Sequence, residues 1–310
     1  MGFAVLFPGQ GSQSVGMGAD LFDARPDLLG ERCDDALGWS LRDLCLDGPP
    51  DQLTRTDRAQ PALFALSFAL WDSLRAEGLP LPQSGAGHSL GEYSALAAAG
   101  AFSFDDGLRL VAARGAVMAL AADAEPSGMA ALLGAEVDQA EAVAEKRRGE
   151  GGRLWVANIN APGQVVVAGA AADIDWLAEQ AERLELRRVI RLDVAGAFHS
   201  PMMETAAGQL GTALAEVEMS ELLFPVWANA TARPHGSNVA ESLVAQLTSP
   251  VLFADSLSSM ADGDVDLMVH IGPGDVTVGM AKRSTELSAI SVSTLADMGP
   301  ALARVASSIE

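Results

Sequence analysis

A chain of 310 residues, 49% of them hydrophobic and 5% aromatic, suffices for one large domain or two smaller ones with a sizeable buried core. Its formal net charge of −21 argues against a nucleic-acid binder, because phosphate recognition needs clustered cations. Two cysteines, Cys33 and Cys45, cannot build a disulfide framework and fit a reducing compartment.

No basic stretch precedes the apolar run at the amino terminus, so no signal peptide is expected. The uncharged stretches 1–19 and 154–172 are interrupted by Pro, Gly and Gln or Asn, so no membrane span is expected either. The expected setting is the cytoplasm. Residues 3–7 (FAVLF) then form an apolar run ending at Pro8-Gly9, the pattern of a buried strand entering a tight loop. Residues 57–77 carry Leu63, Leu66, Leu70 and Leu74 at helical spacing, and a Gly- and Pro-rich passage follows over 78–87. A helix is expected over 89–99, closed by Gly100. The next starts at Ser103, with Asp105 and Asp106 in its first turn, and runs to about Ala122.

The rhythm changes after Pro126. Strands are expected over 129–133, 154–159, 164–168 and 188–194, with helices over 138–146 and 174–184. That β-α-β-β-α-β order belongs to a ferredoxin-like unit. Alternation of strands and helices resumes near residue 204, and 265–271 is the clearest later strand, ending in Gly272-Pro273-Gly274. The expected fold is α/β: a large domain of residues 1–125 and 198–310, interrupted by a small ferredoxin-like domain of residues 126–197.

Gly87-His88-Ser89-Leu90-Gly91 fits G-x-S-x-G, a strand-to-helix turn that exposes a serine and needs glycines on both sides. The helix behind it would aim its first N–H groups at an oxyanion. The pattern alone is weak, since a glycine turn with a surface serine matches it equally. The preceding residues, 81–86, make a short and poorly apolar strand. Gly9-Gln10-Gly11 resembles the opening of a dinucleotide fingerprint, but Ser14 occupies the place of its third glycine.

A serine nucleophile needs a base, and there are four histidines. His88 adjoins the serine and should point away. His235 lies in a Pro-Gly loop, where solvation is the default, and His270 inside an apolar strand. His199 follows a strand in a loop of small residues and is the preferred base. Its orienting partner stays open between Asp193 and a backbone carbonyl. Arg114 shares one helix face with Leu110 and Met118 and stands among small apolar residues. A guanidinium there wants a carboxylate from a ligand or from the protein, and a structural ion pair or a snorkelling side chain fits the pattern as well.

Taken in order, FPGQGSQ (7–13), GHSLGEYSA (87–95), Arg114-Gly115, NINAPGQVVVAG (158–169), GAFHS (196–200), Gln246 with Pro250, and Gly272-Pro273-Gly274 resemble one family over nearly the whole length. It is the malonyl-CoA:acyl carrier protein transacylases, which supply fatty-acid and polyketide synthases. The resemblance implies an α/β-hydrolase-like large domain. It also implies Ser89 as the carrier of a malonyl ester, His199 as general base and acid, and the backbone N–H groups of Gln10 and Leu90 as the oxyanion hole. Arg114 would grip the free carboxylate of malonate, and the main-chain carbonyl of Gln246 would orient His199. Phe198 matches the malonyl-selective pattern, and Met118 is a candidate wall of the same pocket.

The implied reaction is ping-pong transfer from coenzyme A to a phosphopantetheine thiol, with no cofactor, no metal, no nucleic acid and no membrane partner. A monomer is the default. A hydrolase using the same serine and a non-catalytic binding module are the rival readings. Carrier proteins are usually acidic, as is this chain, so docking would need a local basic patch. Arg187, Arg188 and Arg191 with Lys282 and Arg283 are the candidates, and a scattered solvated face accounts for them equally.

Overall fold

The computed structural model describes residues 2–309. In chain order its strands are β1 (Phe3–Phe7), β2 (Ser84–Gly87), β3 (Ser127–Leu133), β4 (Leu154–Ala161), β5 (Gln164–Ala170), β6 (Arg188–Arg191), β7 (Val226–Ala228), β8 (Arg233–Pro234), β9 (Val251–Leu252), β10 (Leu267–Ile271) and β11 (Ser288–Val292). They form two sheets. The larger has the order β11-β10-β1-β2-β7-β8 and is parallel except for β8.

All five residues of β1 are buried, as a central parallel strand covered on both faces requires. Successive side chains point to opposite faces. Phe3, Val5 and Phe7 join the core built by the long helices Thr56–Ala76 and Phe104–Ala124, whereas Ala4 and Leu6 pack with helices Phe253–Ala261 and Val276–Ser284. The two long helices lie against each other at Gly115, where a Cβ would come within 2.9 Å of the Thr56 carbonyl oxygen. That close approach brings Arg114 beside Gln60.

The smaller sheet has the order β6-β3-β5-β4-β9. β3, β4, β5 and β6 are antiparallel to their neighbours among one another, in the ferredoxin-like arrangement. Ala130, Leu132, Val165 and Val167 face the helices Val137–Gly149 and Ala171–Glu179. Met129, Ala131, Val166 and Ala168 face the other way, into the main core. One strand comes from elsewhere in the chain: β9 pairs parallel with β4.

Some expected bounds shift. The helix expected over 174–184 is Ala171–Glu179, and the strands expected over 188–194 and 265–271 are Arg188–Arg191 and Leu267–Ile271. Five short helices fill residues 19–54, each too short to leave a periodic signature in sequence. The poorly apolar approach to the elbow has a packing reason. β2 is wholly buried between β1 and β7, and a Cβ on Gly85 would lie 2.9 Å from the Phe224 ring. Only small residues fit there. Among the described residues, no helix is long and apolar enough to cross a membrane.

Candidate active site

β1 and β2 are parallel neighbours with Phe7 opposite Gly87, so the loops after them leave the same sheet edge side by side. His88 N donates to the Phe7 carbonyl at 3.0 Å. A Cβ on Gly9 would sit 2.4 Å from the His88 carbonyl oxygen, which ties the two loops together. The chain then turns through Ser89 at φ 52°, a left-handed backbone that a serine adopts only under constraint. Asn229 Oδ1 accepts from Ser89 N at 2.7 Å, and Gln246 Nε2 donates to Ser89 O at 2.9 Å.

The glycines of the motif are needed for space. A Cβ on Gly87 would lie 1.9 Å from the backbone of Gly91, and one on Gly91 would lie 2.3 Å from the Phe7 carbonyl oxygen. Helix Gly91–Ala98 starts at once behind the turn. Gln10 and Leu90 both border the cavity in front of Ser89, and their backbone N–H groups make no hydrogen bond to protein among the described residues. Two unsatisfied donors from neighbouring loops suit an oxyanion.

His199 is also left-handed, at φ 58°. Its Nε2 lies 2.7 Å from Ser89 Oγ and its Nδ1 2.8 Å from the Gln246 carbonyl oxygen. A carbonyl only accepts, so Nδ1 carries the proton and Nε2 is free to take one from serine. Burial, and next the nearby Arg114 cation, push the imidazole pKa down to about 3. The orienting partner left open by the sequence is thus the carbonyl; Asp193 is exposed and does not bond His199. The other histidines are occupied. His88 Nε2 contacts Asn160 Oδ1 at 2.7 Å, and His270 lies in the core between Thr277 Oγ1 and the Gly272 carbonyl. His235 corrects the expectation of a solvated ring: its side chain is 1% exposed, and Nε2 lies 2.8 Å from Glu92 Oε1.

Arg114 is 1% exposed. Nη1 donates to Gln60 Oε1 at 2.6 Å, and Nη2 to Gln246 Oε1 at 2.9 Å and to Ser89 Oγ at 3.1 Å. All three acceptors are neutral, and Nε has no partner. Burial pulls the guanidinium pKa down, the mark of a cation without a counterion in contact. The structural ion pair is therefore absent among the described residues. Met118 and Phe198 line the same cavity of about 220 Å³, as do Met129 and Val166 from the small sheet. No cluster of metal-binding side chains occurs among the described residues.

Three residues of this network escape a sequence reading. Gln60 and Asn229 stand in no recognisable pattern. Glu92 left a signal: a carboxylate three residues after the serine, in an otherwise small and apolar helix.

The pattern of the acyl transferase domain matches residues 5–302. The malonyl CoA-acyl carrier protein transacylase of Bacillus subtilis (strain 168) is 39% identical over 295 residues, covering 94% of this chain and 93% of that protein. The crystal structure of the malonyl-CoA:acyl carrier protein transacylase of Xanthomonas oryzae superimposes with a TM-score of 0.92 at 38% identity, covering 98% of each chain. A malonyl-transacylase solved in complex with its type II polyketide acyl-carrier protein gives 0.93 at 34% identity, covering 98% of this chain and 100% of that one. Coverage end to end at such identity leaves one conclusion: the chain belongs to the malonyl-CoA:acyl carrier protein transacylase family.

Proposed function

We propose that this chain transfers malonyl from malonyl-CoA to the phosphopantetheine thiol of an acyl carrier protein, by a ping-pong reaction through an ester on Ser89. Ser89 Oγ attacks the thioester carbonyl while His199 Nε2 takes its proton. The N–H groups of Gln10 and Leu90 receive the developing oxyanion. His199 returns the proton to the departing coenzyme A sulfur. In the second half the carrier thiol attacks the ester, with His199 again the base. The Gln246 carbonyl holds the imidazole in its working tautomer.

The observation that carries this reading is Arg114, a buried guanidinium without a carboxylate that touches the attacking oxygen. It supports a substrate that brings its own negative charge, and a two-pronged pair with the malonyl carboxylate meets that need. Phe198 and Met118 would crowd an α-methyl branch, favouring malonyl over methylmalonyl. The test is intact mass spectrometry after mixing with malonyl-, methylmalonyl- and acetyl-CoA. Malonyl ester on Ser89 in clear excess is expected; an equal acetyl adduct removes the clamp from the reading. Coenzyme A release that ignores added carrier protein would instead make it a hydrolase.

The same reading has residues 126–197 as the inserted small domain closing the cavity from above the elbow, with β9 of the large domain lending its edge. It requires no cofactor or metal, and assigns a cytoplasmic monomer. The exposed Arg187, Arg188, Arg191, Lys282 and Arg283 are its carrier-docking candidates.

A further inference from the structure

Glu92 takes no part in the chemistry above, yet it is 0% exposed and its side-chain hydrogen bonds lead to the elbow and its supports. Its Oε2 accepts from Asn229 N at 2.9 Å and from Gln246 Nε2 at 2.7 Å, while Oε1 faces His235 Nε2 at 2.8 Å. Asn229 then spans the turn: besides holding Ser89 N, its Nδ2 donates to the Gly87 carbonyl at 2.8 Å. Gln246 does more. It holds Ser89 O, offers its side-chain oxygen to Arg114 Nη2, and orients His199 through its main chain.

An oxygen that receives two N–H donors is an acceptor, wherever the proton between Oε1 and His235 resides. It therefore keeps the Gln246 nitrogen inward and the Gln246 oxygen on Arg114. The carboxyl group stays one amide away from the guanidinium. A carboxylate in direct contact would close a strong ion pair and compete with the carboxylate of a substrate.

We propose that Glu92 is a positioning residue for acyl transfer, its Oε2 pinning Asn229 and Gln246 together and so setting Ser89, His199 and Arg114 relative to one another. The proposal rests on the reading of the site as one that accepts an acyl group with a free carboxylate. A purely structural carboxylate would lower the unfolding temperature without changing the preference of the folded protein between acyl groups.

The experiment measures Ser89 ester formation from malonyl-CoA and acetyl-CoA in the wild type, Glu92→Asp, Glu92→Ala and Glu92→Gln, with thermal unfolding of each. Glu92→Asp keeps the carboxyl group but withdraws its oxygens by one methylene. It is expected to slow malonyl ester formation about tenfold and narrow the malonyl-to-acetyl ratio about threefold. Glu92→Ala goes further in both. Glu92→Gln keeps the length and one accepting oxygen, and holds a ratio close to wild type. Folded Glu92→Asp with the wild-type rate and ratio overturns the proposal, as does Glu92→Gln falling as far as Glu92→Ala. Where Glu92→Ala does not fold, the aspartate and glutamine variants decide. A wild-type protein that forms no malonyl ester sinks the functional reading itself, which is a different result from an active wild type indifferent to residue 92.

Discussion

Arg114 Nη2 lies 3.1 Å from Ser89 Oγ, on the same oxygen that His199 Nε2 approaches at 2.7 Å. The serine oxygen thus accepts from a permanent cation while it donates to a neutral base. Arg114 and His199 are buried, so developing negative charge on that oxygen meets an electrostatic contact that counts for more than in bulk solvent. The same cation helps keep the imidazole unprotonated and ready.

Replacing Arg114 should separate charged from uncharged acyl groups. Hydrogen bonds to a charged partner are worth about 1.5–3 kcal/mol each, so Arg114→Ala is expected to slow malonyl ester formation by roughly 100-fold or more. Transfer of acetyl, which has no carboxylate to lose, should fall far less. Arg114→Lys keeps the charge but not the two-pronged geometry and should lie between. Stopped-flow release of coenzyme A with the two thioesters checks this. A variant that still prefers malonyl by the wild-type margin ends the clamp argument.

The depressed pKa of His199 makes a pH prediction of definite sign. With His199 as the proposed base, catalysis needs the neutral ring, and in the folded free enzyme that form persists down to about pH 3 instead of the ordinary 6.5. The acid limb of kcat/KM for malonyl-CoA, which reports the free enzyme, should therefore fall well below pH 6. A bound carboxylate offsets the Arg114 charge, so the limb of kcat should sit higher than that of kcat/KM. Stability runs in the same direction. Below pH 6.5 the unfolded chain takes a proton that the fold refuses, so this residue removes roughly 1.4 kcal/mol per pH unit as pH falls toward 3. His199→Gln should flatten the acid side of the unfolding profile. An acid limb of kcat/KM at pH 6.5 contradicts the buried dyad.

What could be read from the sequence depended on how local the cause was. β1, the two long helices and the ferredoxin-like order all announce themselves through apolar spacing within one segment. Ser89 is legible because its strained turn demands glycines two residues to either side. The contacts of Arg114 were not legible. They depend on Gln60 and Gln246, 54 and 132 residues away, which meet it only through helix packing at Gly115 and the return of the chain after residue 198. β2 looked weak for a related reason: its small residues answer to Phe224 and Gly91, not to each other.

Phe198 should set the tolerance for an α-methyl branch. It is 5% exposed and shares the cavity wall with Met118, behind which Gln60 Nε2 meets the Met118 sulfur at 3.4 Å. The wall cannot easily recede. Phe198→Ala is expected to raise methylmalonyl ester formation by roughly 10-fold or more, since one methyl group in a pocket is worth about 1–3 kcal/mol. Malonyl ester formation should change less. Competition between the two thioesters, read by mass, is the measurement, and an unchanged ratio removes Phe198 from the selectivity argument.

Gly91→Ala tests the elbow without touching a reacting atom. The added Cβ would lie 2.3 Å from the Phe7 carbonyl oxygen and 2.7 Å from that of Pro8, both fixed backbone. The loops of β1 and β2 must part to admit it, which is expected to lower stability by about 1–3 kcal/mol and to move the Gln10 and Leu90 backbones apart. Thermal unfolding and ester formation should fall together. A fully active, equally stable variant would show that the two loops are free to separate.

Carrier docking is tested by the exposed charges at and before β6 and on helix Val276–Ser284. With a net charge of −21 the chain as a whole repels an acidic carrier, so any attraction has to come from a local field. Among the described residues Arg187, Arg188, Lys282 and Arg283 are exposed and enter no ion pair, Arg283 donating to the neutral Gln164 Oε1 at 2.6 Å, whereas Arg191 is already paired with Asp175. All four therefore keep an uncompensated charge, and Arg187, Arg188 and Lys282 are the ones no other side chain holds in place. Lys282→Glu and the pair Arg187→Glu, Arg188→Glu should each raise the KM for carrier by roughly threefold or more while leaving ester formation from malonyl-CoA alone. Added salt should weaken the wild type and spare the variants, because screening removes an attraction they have already lost. If neither the charge reversals nor salt moves the carrier KM, the docking face lies elsewhere, and apolar contact rather than charge must hold the partner.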